Sequence, residues 1–283
     1  YLFQRLVEPF LGADERLAGV AAVGALWLMT IVGFPIARAV PRKLRSVFEV
    51  LMFTWMGFAY LLMLVCVFTL PVSALLQFFG RSEATLSVFV LGVSSVLAWR
   101  SIGKVLRPEK LRYQVIPVDK KIPSHIENLT AVVLSDVHVA GLVGGERMKR
   151  LTATVNDLKP DFIFVTGDLV DGTVKQLRSA VLPLAGLQAT HGVYYVTGNH
   201  EFYSNPKQWR EFCKNELGWK VLSNATHSLL VGDFRINIIG IEDRSWLRQK
   251  NGLAKKDTRL SEAVAELPEN ERTLALNILL AHQ

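Results

Sequence analysis

Thr130-Ala-Val-Val-Leu-Ser-Asp136-Val-His138 is the stretch whose reading decides the fold. A run of apolar and β-branched residues without polar alternation reads as a strand buried on both faces, and it ends in Asp-x-His. Two later stretches repeat the pattern. Asp161-Phe-Ile-Phe-Val-Thr166 leads into Gly167-Asp168-Leu169-Val170-Asp171, and Gly192-Val-Tyr-Tyr-Val-Thr197 leads into Gly198-Asn199-His200-Glu201. Residues 146–158 and 174–187 read as helices between them. Strands alternating with helices predict an α/β layered core with parallel pairing. Residues 113–118 are a candidate first strand, 228–231 and 234–241 a hairpin turning at Gly232-Asp233, and 274–281 a last strand that ends in Ala281-His282.

Upstream the texture is different. Three apolar stretches, 17–40, 50–70 and 84–99, account for much of the 50% hydrophobic content and the mean hydropathy of +0.27 in 283 residues. The first two are long enough to cross a hydrocarbon core, which takes about 20 helical residues. The third is short: its residues 85–99 rise only about 23 Å against a core of about 30 Å. It spans by taking in Ala84 and letting Arg100 and Lys104 snorkel, with an interfacial or re-entrant segment as the alternative. The expected organisation is therefore 1–105 transmembrane and 106–283 a globular domain. The chain starts without methionine and stops just after a strand, so a C-terminally truncated domain is expected.

The net charge of +7 at a pI near 9.5 could suggest a nucleic-acid binder. Its distribution argues otherwise. Residues 1–100 carry 8 basic and 5 acidic side chains, 101–125 carry 6 and 2, and 126–283 carry 18 and 18. The excess lies in and beside the apolar part: Arg38, Arg42, Lys43 and Arg45 between the first two stretches, and Arg100, Lys104, Arg107, Lys110 and Arg112 after the third. Only Arg81, offset by Glu83, lies between the second and third. With three spans both basic regions fall on one side, as the positive-inside bias requires, and the globular part is cytoplasmic. Cys66 and Cys213, 147 positions apart, make no disulfide framework.

Ligands of open α/β sheets bind beyond the carboxyl ends of the strands, so four polar clusters at four strand ends should converge. In an extended segment Asp136 and His138 face one way and can offer an oxygen and a nitrogen to one ion. Asp168 follows a glycine that permits a tight turn, and its carboxylate can bridge two ions. Asn199 supplies an amide oxygen and His282 an imidazole, a mixed donor set suited to Mn, Fe or Zn. Each cluster alone has an ordinary structural explanation as a turn, a helix cap or a chance pair. Their order, and the spacings of 32 (Asp136 to Asp168) and 31 (Asp168 to Asn199) residues, favour a common site. His125, His191 and His227 lie outside these clusters and read as surface residues.

These blocks resemble the successive signature blocks of the calcineurin-like metallophosphoesterases, most closely membrane-attached bacterial members. The resemblance covers about residues 111–283. It implies an α/β (α+β) four-layer β-sandwich flanked by helices, preceded here by an all-α transmembrane region, and a centre of two divalent metal ions. One metal would be held by Asp136, His138 and Asp168, the second by Asp168, Asn199 and His282. His200 would be the general acid, with Asp171 fixing its tautomer, and Glu201 would support the turn. Gly172 stands where phosphoprotein phosphatases have an arginine, Ala281 replaces a glycine, and the final Gly-His-x-His block of the family does not occur within these residues.

The function expected is a membrane-anchored dimetal phosphoesterase. It would hydrolyse phosphomono- or phosphodiesters of a lipid-linked substrate by attack of a metal-activated hydroxide, as a multi-pass protein of a bacterial inner membrane. The alternative is a catalytically silent metal-binding sensor or scaffold on a membrane bundle. Expected partners are the phosphate ester and membrane lipids, not nucleic acid, because the globular half is neutral and lacks a basic aromatic stripe.

Overall fold

A computed structural model describes all residues except 1–5, 9–10, 40–41, 81–83, 106–109, 119–122, 124–127, 141–143, 246–258, 266 and 283. Arg81, Glu83, Arg107 and His125 therefore lie outside the described residues. The chain divides into two compact units, Tyr1–Leu111 and Arg112–Gln283.

The first unit is helical: α1 (Arg16–Ala39), α2 (Arg42–Phe68), α3 (Leu70–Phe78, with Pro71 in its first turn) and α4 (Ala84–Val105). Among the described residues, three helices are long and apolar enough to cross a membrane, over Arg16–Gly33, Val47–Phe68 and Ala84–Lys104. The third stretch is longer than its apolar run, because the helix continues past Trp99 through Lys104. Its 22 residues rise about 33 Å at 1.5 Å each, which removes the shortfall. The basic cluster after the first stretch is not a loop, since α2 already begins at Arg42. A Cβ on Gly33 would stand 2.5 Å from Met52 Sδ, so α1 and α2 approach closely there, and Trp55 Nε1 donates to Leu26 O at 2.8 Å. Leu17, Ile31, Phe68 and Trp99 are exposed, apolar surface that water would not leave uncovered in a soluble helix bundle.

The second unit is a sandwich of two sheets. Strands β1 (Ala131–Leu134), β2 (Phe162–Thr166), β3 (Val193–Val196) and β4 (Lys220–Val221) form an all-parallel sheet in that order. In the other sheet β5 (Ala225–Val231) pairs antiparallel with β6 (Phe234–Gly240) through the expected turn, and β6 pairs parallel with β7 (Leu276–Leu280). β2 is apolar throughout because both of its faces are buried. Phe162 and Phe164 join Tyr194, Val196, Ile236, Ile238 and Leu280 between the sheets. Ile163 and Val165 face the opposite core, with Val155, Val181 and Trp209 from the helices.

That helical layer consists of α5 (Gly145–Asp157), α6 (Val174–Val181), α7 (Asn199–Ser204) and α8 (Pro206–Asn215). α5 buries Met148, Leu151, Thr152 and Val155, the spacing of one helix face. The outer face of the second sheet is mixed, with Leu230 and Leu279 exposed beside a polar row in which Ser228 Oγ donates to Asn237 Oδ1 at 2.7 Å and Asn237 Nδ2 to Asn277 Oδ1 at 2.9 Å. Over its β5 side lies α9 (Arg259–Ala263), whose Ala263 carbonyl accepts from Thr226 Oγ1 at 2.6 Å, so helices flank both sheets.

Four local expectations change. β1 is not buried on both faces: it is an edge strand of its sheet, and Ala131 and Val133 are exposed. Residues 113–118 form no strand, and Tyr113, Val115 and Ile116 are exposed with no described strand beside them to complete the pairing. His227 is no bare surface residue: its ring meets Tyr194 at 5.6 Å and its Nε2 lies 3.2 Å from Lys220 Nζ. His191 packs its ring 4.9 Å from that of Phe162. Cys66 and Cys213 are both buried and are not joined to each other.

Candidate metal centre

The carboxyl ends of β1, β2, β3 and β7 meet at one edge of the sandwich. Two glycines make this possible. Gly167 has φ +90°, and a Cβ there would stand 2.6 Å from the backbone nitrogen of Gly198 and 3.0 Å from His282 Cγ. A Cβ on Gly198 would collide with Asp168. Only residues without side chains let the loops after β2 and β3 run so close together.

Asp136, His138 and Asp168 all have left-handed backbones, with φ of 54°, 47° and 50°. Such conformations in non-glycine residues cost about 1–3 kcal/mol each and persist when surrounding bonds enforce them. Here Asp136 N donates to Gly167 O at 3.3 Å, His138 N to Asp168 O at 3.0 Å and Val139 N to Leu169 O at 2.8 Å. The loop after β1 is therefore laced to the loop after β2. The convergence of Asp136 and His138 arises from these turns and not from extended alternation; His138 Nε2 ends 3.8 Å from Asp136 Oδ1.

Asp168, 3% exposed, is the hub. Its Oδ2 lies 3.7 Å from His138 Nε2, 3.7 Å from His200 Nε2 and 3.3 Å from His282 Nε2, while its Oδ1 accepts from His200 N at 2.9 Å. The ligand atoms of His138, Asp168 and His200 lie within 4.8 Å of one another, and so do those of Asp136, Asp168 and His282. The grouping differs from that implied by the resemblance, which separates His200 from the ligands. Asn199 heads α7, next to His200, and its Nδ2 donates to the Tyr203 hydroxyl at 3.3 Å.

The far sides of the imidazoles are tied down. Asp171 Oδ1 lies 2.9 Å from His138 Nδ1 and 2.5 Å from His200 Nδ1, so one carboxylate oxygen orients both rings. His282 Nδ1 lies 2.9 Å from Thr166 O, a carbonyl that can only accept. An imidazole that donates from Nδ1 presents Nε2 as an acceptor when neutral. Three Nε2 acceptors therefore face a carboxylate oxygen at 3.3–3.7 Å, an arrangement that repels itself unless positive charge stands between. The electrostatics of His138 agree. Burial lowers its pKa, but the hydrogen bond and charge of Asp171, with Asp168 and Asp136 adding, outweigh that and raise it. Orienting bonds on Nδ1 are the usual support of metal-binding histidines, so the donor set fits divalent cations.

Behind the site stands Glu201, fully buried, whose carboxylate accepts from the backbone nitrogens of Asp168 (3.1 Å), Leu169 (2.8 Å), Val170 (3.3 Å) and Gly198 (2.7 Å). Burial pushes its pKa up, the charge of Asp168 adds, and the backbone donors pull it down, leaving it at about 7. It holds the two glycine loops together. Sequence reasoning missed three features here: the double use of Asp171, the anchoring of His282 by Thr166 and the bond from Asn199 to Tyr203. A backbone carbonyl leaves no trace in a sequence, but Tyr203 stands four residues after Asn199, a spacing that makes helix neighbours.

Comparison with known proteins agrees with this geometry. The chain is 35% identical over 140 residues to a transmembrane protein with metallophosphoesterase domain from Danio rerio, covering 49% of this chain and 32% of that protein. It is 30% identical over 185 residues to an uncharacterized metallophosphoesterase of Helicobacter pylori, covering 65% and 45%. A third, from Campylobacter jejuni, is 29% identical over 198 residues, covering 70% and 48%. The chain thus spans less than half the length of these relatives. The family model for calcineurin-like phosphoesterases matches residues 129–282, from just before β1 to His282, and with more than half of the sequence inside that match the chain belongs to the calcineurin-like phosphoesterase family.

Proposed function

We propose that the protein acts as a membrane-anchored, metal-dependent phosphoesterase that cleaves phosphomono- or phosphodiesters, with a lipid-linked substrate. The observation that carries this reading is the meeting of three histidine Nε2 atoms from three loops on Asp168 Oδ2 at 3.3–3.7 Å. Asp136, His138 and Asp168 would hold one cation, and Asp168, Asn199 and His282 the other. When bound, two divalent cations of the Mn, Fe or Zn type supply Lewis acidity to the phosphoryl oxygens and lower the pKa of a water.

The remaining work falls to the chain. Asp171 accepts the hydrogen bond of His200 Nδ1–H, so in the imidazolium form the Nε2–H proton is the one passed to the leaving alcohol, returning the ring to its neutral Nδ1–H tautomer. Glu201 keeps the loops after β2 and β3 at fixed separation, which holds Asp168 and Asn199 in place. The three apolar helices keep the site beside a bilayer, where a substrate in the same bilayer is met at high effective concentration. The basic residues flanking these helices support a cytoplasmic site.

The test uses the whole chain in detergent or liposomes, with metal content and hydrolysis read side by side. Asp168→Ala should lose metal. His200→Ala should keep it and lose turnover by about 10²–10⁴-fold, the contribution of a general acid. Full activity in either variant would refute the assignment, and loss of metal in His200→Ala would make His200 a ligand. Failure to act on any lipid phosphate, with soluble diesters cleaved equally with and without the helices, would count against a lipid-linked substrate.

A further inference from the structure

Of the site residues named above, His282 alone comes from the second sheet; Asp136, His138, Asp168, Asn199 and His200 all follow strands of the first. The 3.3 Å approach of His282 Nε2 to Asp168 Oδ2 therefore depends on how closely the two sheets meet at this edge. Two features at the end of β6 bear on that distance. A Cβ on Gly240 would stand 2.2 Å from Leu222 Cβ and 2.9 Å from Val196 Cγ1, so the bare backbone of β6 lies against the ends of β3 and β4. Two residues on stands Glu242, 1% exposed and bonded to the first-sheet side by three groups. Its Oε1 accepts from Arg210 Nη1 of α8 at 2.7 Å and from the Ser223 hydroxyl, and its N–H donates to Asn224 Oδ1 at 3.0 Å. The ladder of β6 and β7 pairs Gly240 with Leu280 and continues as Ile241 N donates to Leu280 O at 3.0 Å, which places Glu242 alongside His282.

A buried ion pair is a poor source of stability, since apolar residues of similar volume often serve as well or better. Glu242 Oε2 has no hydrogen-bond partner among the described residues, which adds to the cost. What such a pair supplies is direction, because a guanidinium and a carboxylate meet in few geometries. We infer that Arg210 and Glu242 are positioning residues of the metal centre: their ion pair clamps the end of β6 to α8 and, through the ladder to β7, holds the His282 imidazole in place against Asp168. The inference rests on the reading of His282 as a ligand of the second cation. Neither Arg210 nor Glu242 touches cation or phosphate in this role.

Mn²⁺ binding to the full chain in detergent, read by equilibrium dialysis and by the paramagnetic resonance of free Mn²⁺, tests it. Arg210→Met combined with Glu242→Met replaces the pair by apolar side chains. This double variant should weaken one of two sites about 10-fold, the size typical of lost outer support. The other site and the urea midpoint of the metal-free protein should not move. In the background of His282→Ala, which lacks the ligand, the same two changes should have no further effect on metal binding. Arg210→Lys keeps the charge without the planar fork and is the milder probe should the double variant not fold; it should weaken the same site by a smaller factor. Wild-type binding at both sites in the double variant, or in Arg210→Lys if only that one folds, with one site lost in His282→Ala, overturns the clamp and leaves His282 a ligand. Two intact sites in His282→Ala overturn the ligand reading itself, and the clamp with it. Equal weakening of both sites with a lower urea midpoint makes the pair a structural bond only, which also overturns the inference.

Discussion

A Cβ on Gly167 would stand 2.6 Å from the backbone nitrogen of Gly198, so the loops that carry Asp168 and Asn199 depend on two bare backbones passing each other. Gly167 also has φ +90°, which a side chain strains regardless of space. Gly167→Ala is therefore penalised twice. It should destabilise the fold by more than about 1 kcal/mol, the range for alanine at a positive φ. Because the neighbouring obstacle is backbone, the loops must part, and bound metal should fall with stability. Urea denaturation and metal content check this; normal metal content in the variant would mean that the loops tolerate separation.

Glu201 makes a second prediction. Its carboxylate accepts from four backbone N–H groups in a fully buried setting. Glu201→Gln keeps the shape but replaces one acceptor with an NH₂ that faces donors. A buried donor left without an acceptor costs about 1–3 kcal/mol. The variant should lose that much stability and bind metal more weakly. Unfolding of the metal-free protein separates the two effects, since the stability loss should persist without metal.

What could be read beforehand follows from what each feature depends on. β2 was legible because burial on both faces writes itself as Phe162-Ile-Phe-Val, and Asp168 because it directly follows such a run. The backbone at Asp136 and His138 was not. Alternation assumes an extended chain, whereas their left-handed turns are held by bonds to Gly167 O and Asp168 O, about thirty residues away. The third apolar helix was underestimated because hydropathy fades at Trp99 while helix propensity does not, and the chain stays helical through Lys104. Residues 113–118 carry apolar side chains at strand-like spacing, but a strand also needs a partner, and local sequence says nothing of that.

His227 contributes a part of the stability that is lost on mild acidification, opposite in sign to the contributions of Glu201 and His138, whose raised pKa values favour the fold as pH falls. Burial, and then the charge of Lys220 at 3.2 Å, hold the pKa of His227 below the ordinary 6.5. In the unfolded chain the ring binds a proton near pH 6.5, and in the fold it does so only at lower pH. The unfolded state thus holds more protons in that window, and stability rises with pH through it. The contribution is complete above about pH 6.5 and declines below it, towards the depressed folded value. His227→Gln removes the titration, so the difference between variant and wild type in urea midpoint should change between pH 5 and pH 8. Parallel curves over that range would show that His227 does not contribute.

Topology offers a last test, for which the two native cysteines are well placed. Cys66 and Cys213 are both buried, so a membrane-impermeant maleimide should label a new cysteine at an exposed position against little background. Lys110 is exposed and follows α4 by five residues. If three helices cross the bilayer and basic residues stay inside, Lys110→Cys should react in inverted vesicles and not in intact cells. Gly80, in the turn after α3, should behave in the opposite way as Gly80→Cys, if its positive φ of 61° tolerates the substitution. Phe79→Cys, which is also exposed, gives the same readout without that strain. Labelling of Lys110→Cys from outside would place the metal centre on the other face, where the basic segment after α4 would oppose the positive-inside bias. Labelling of both positions from one side would mean that α4 does not cross, and the candidate span at Ala84–Lys104 would have to lie along the interface.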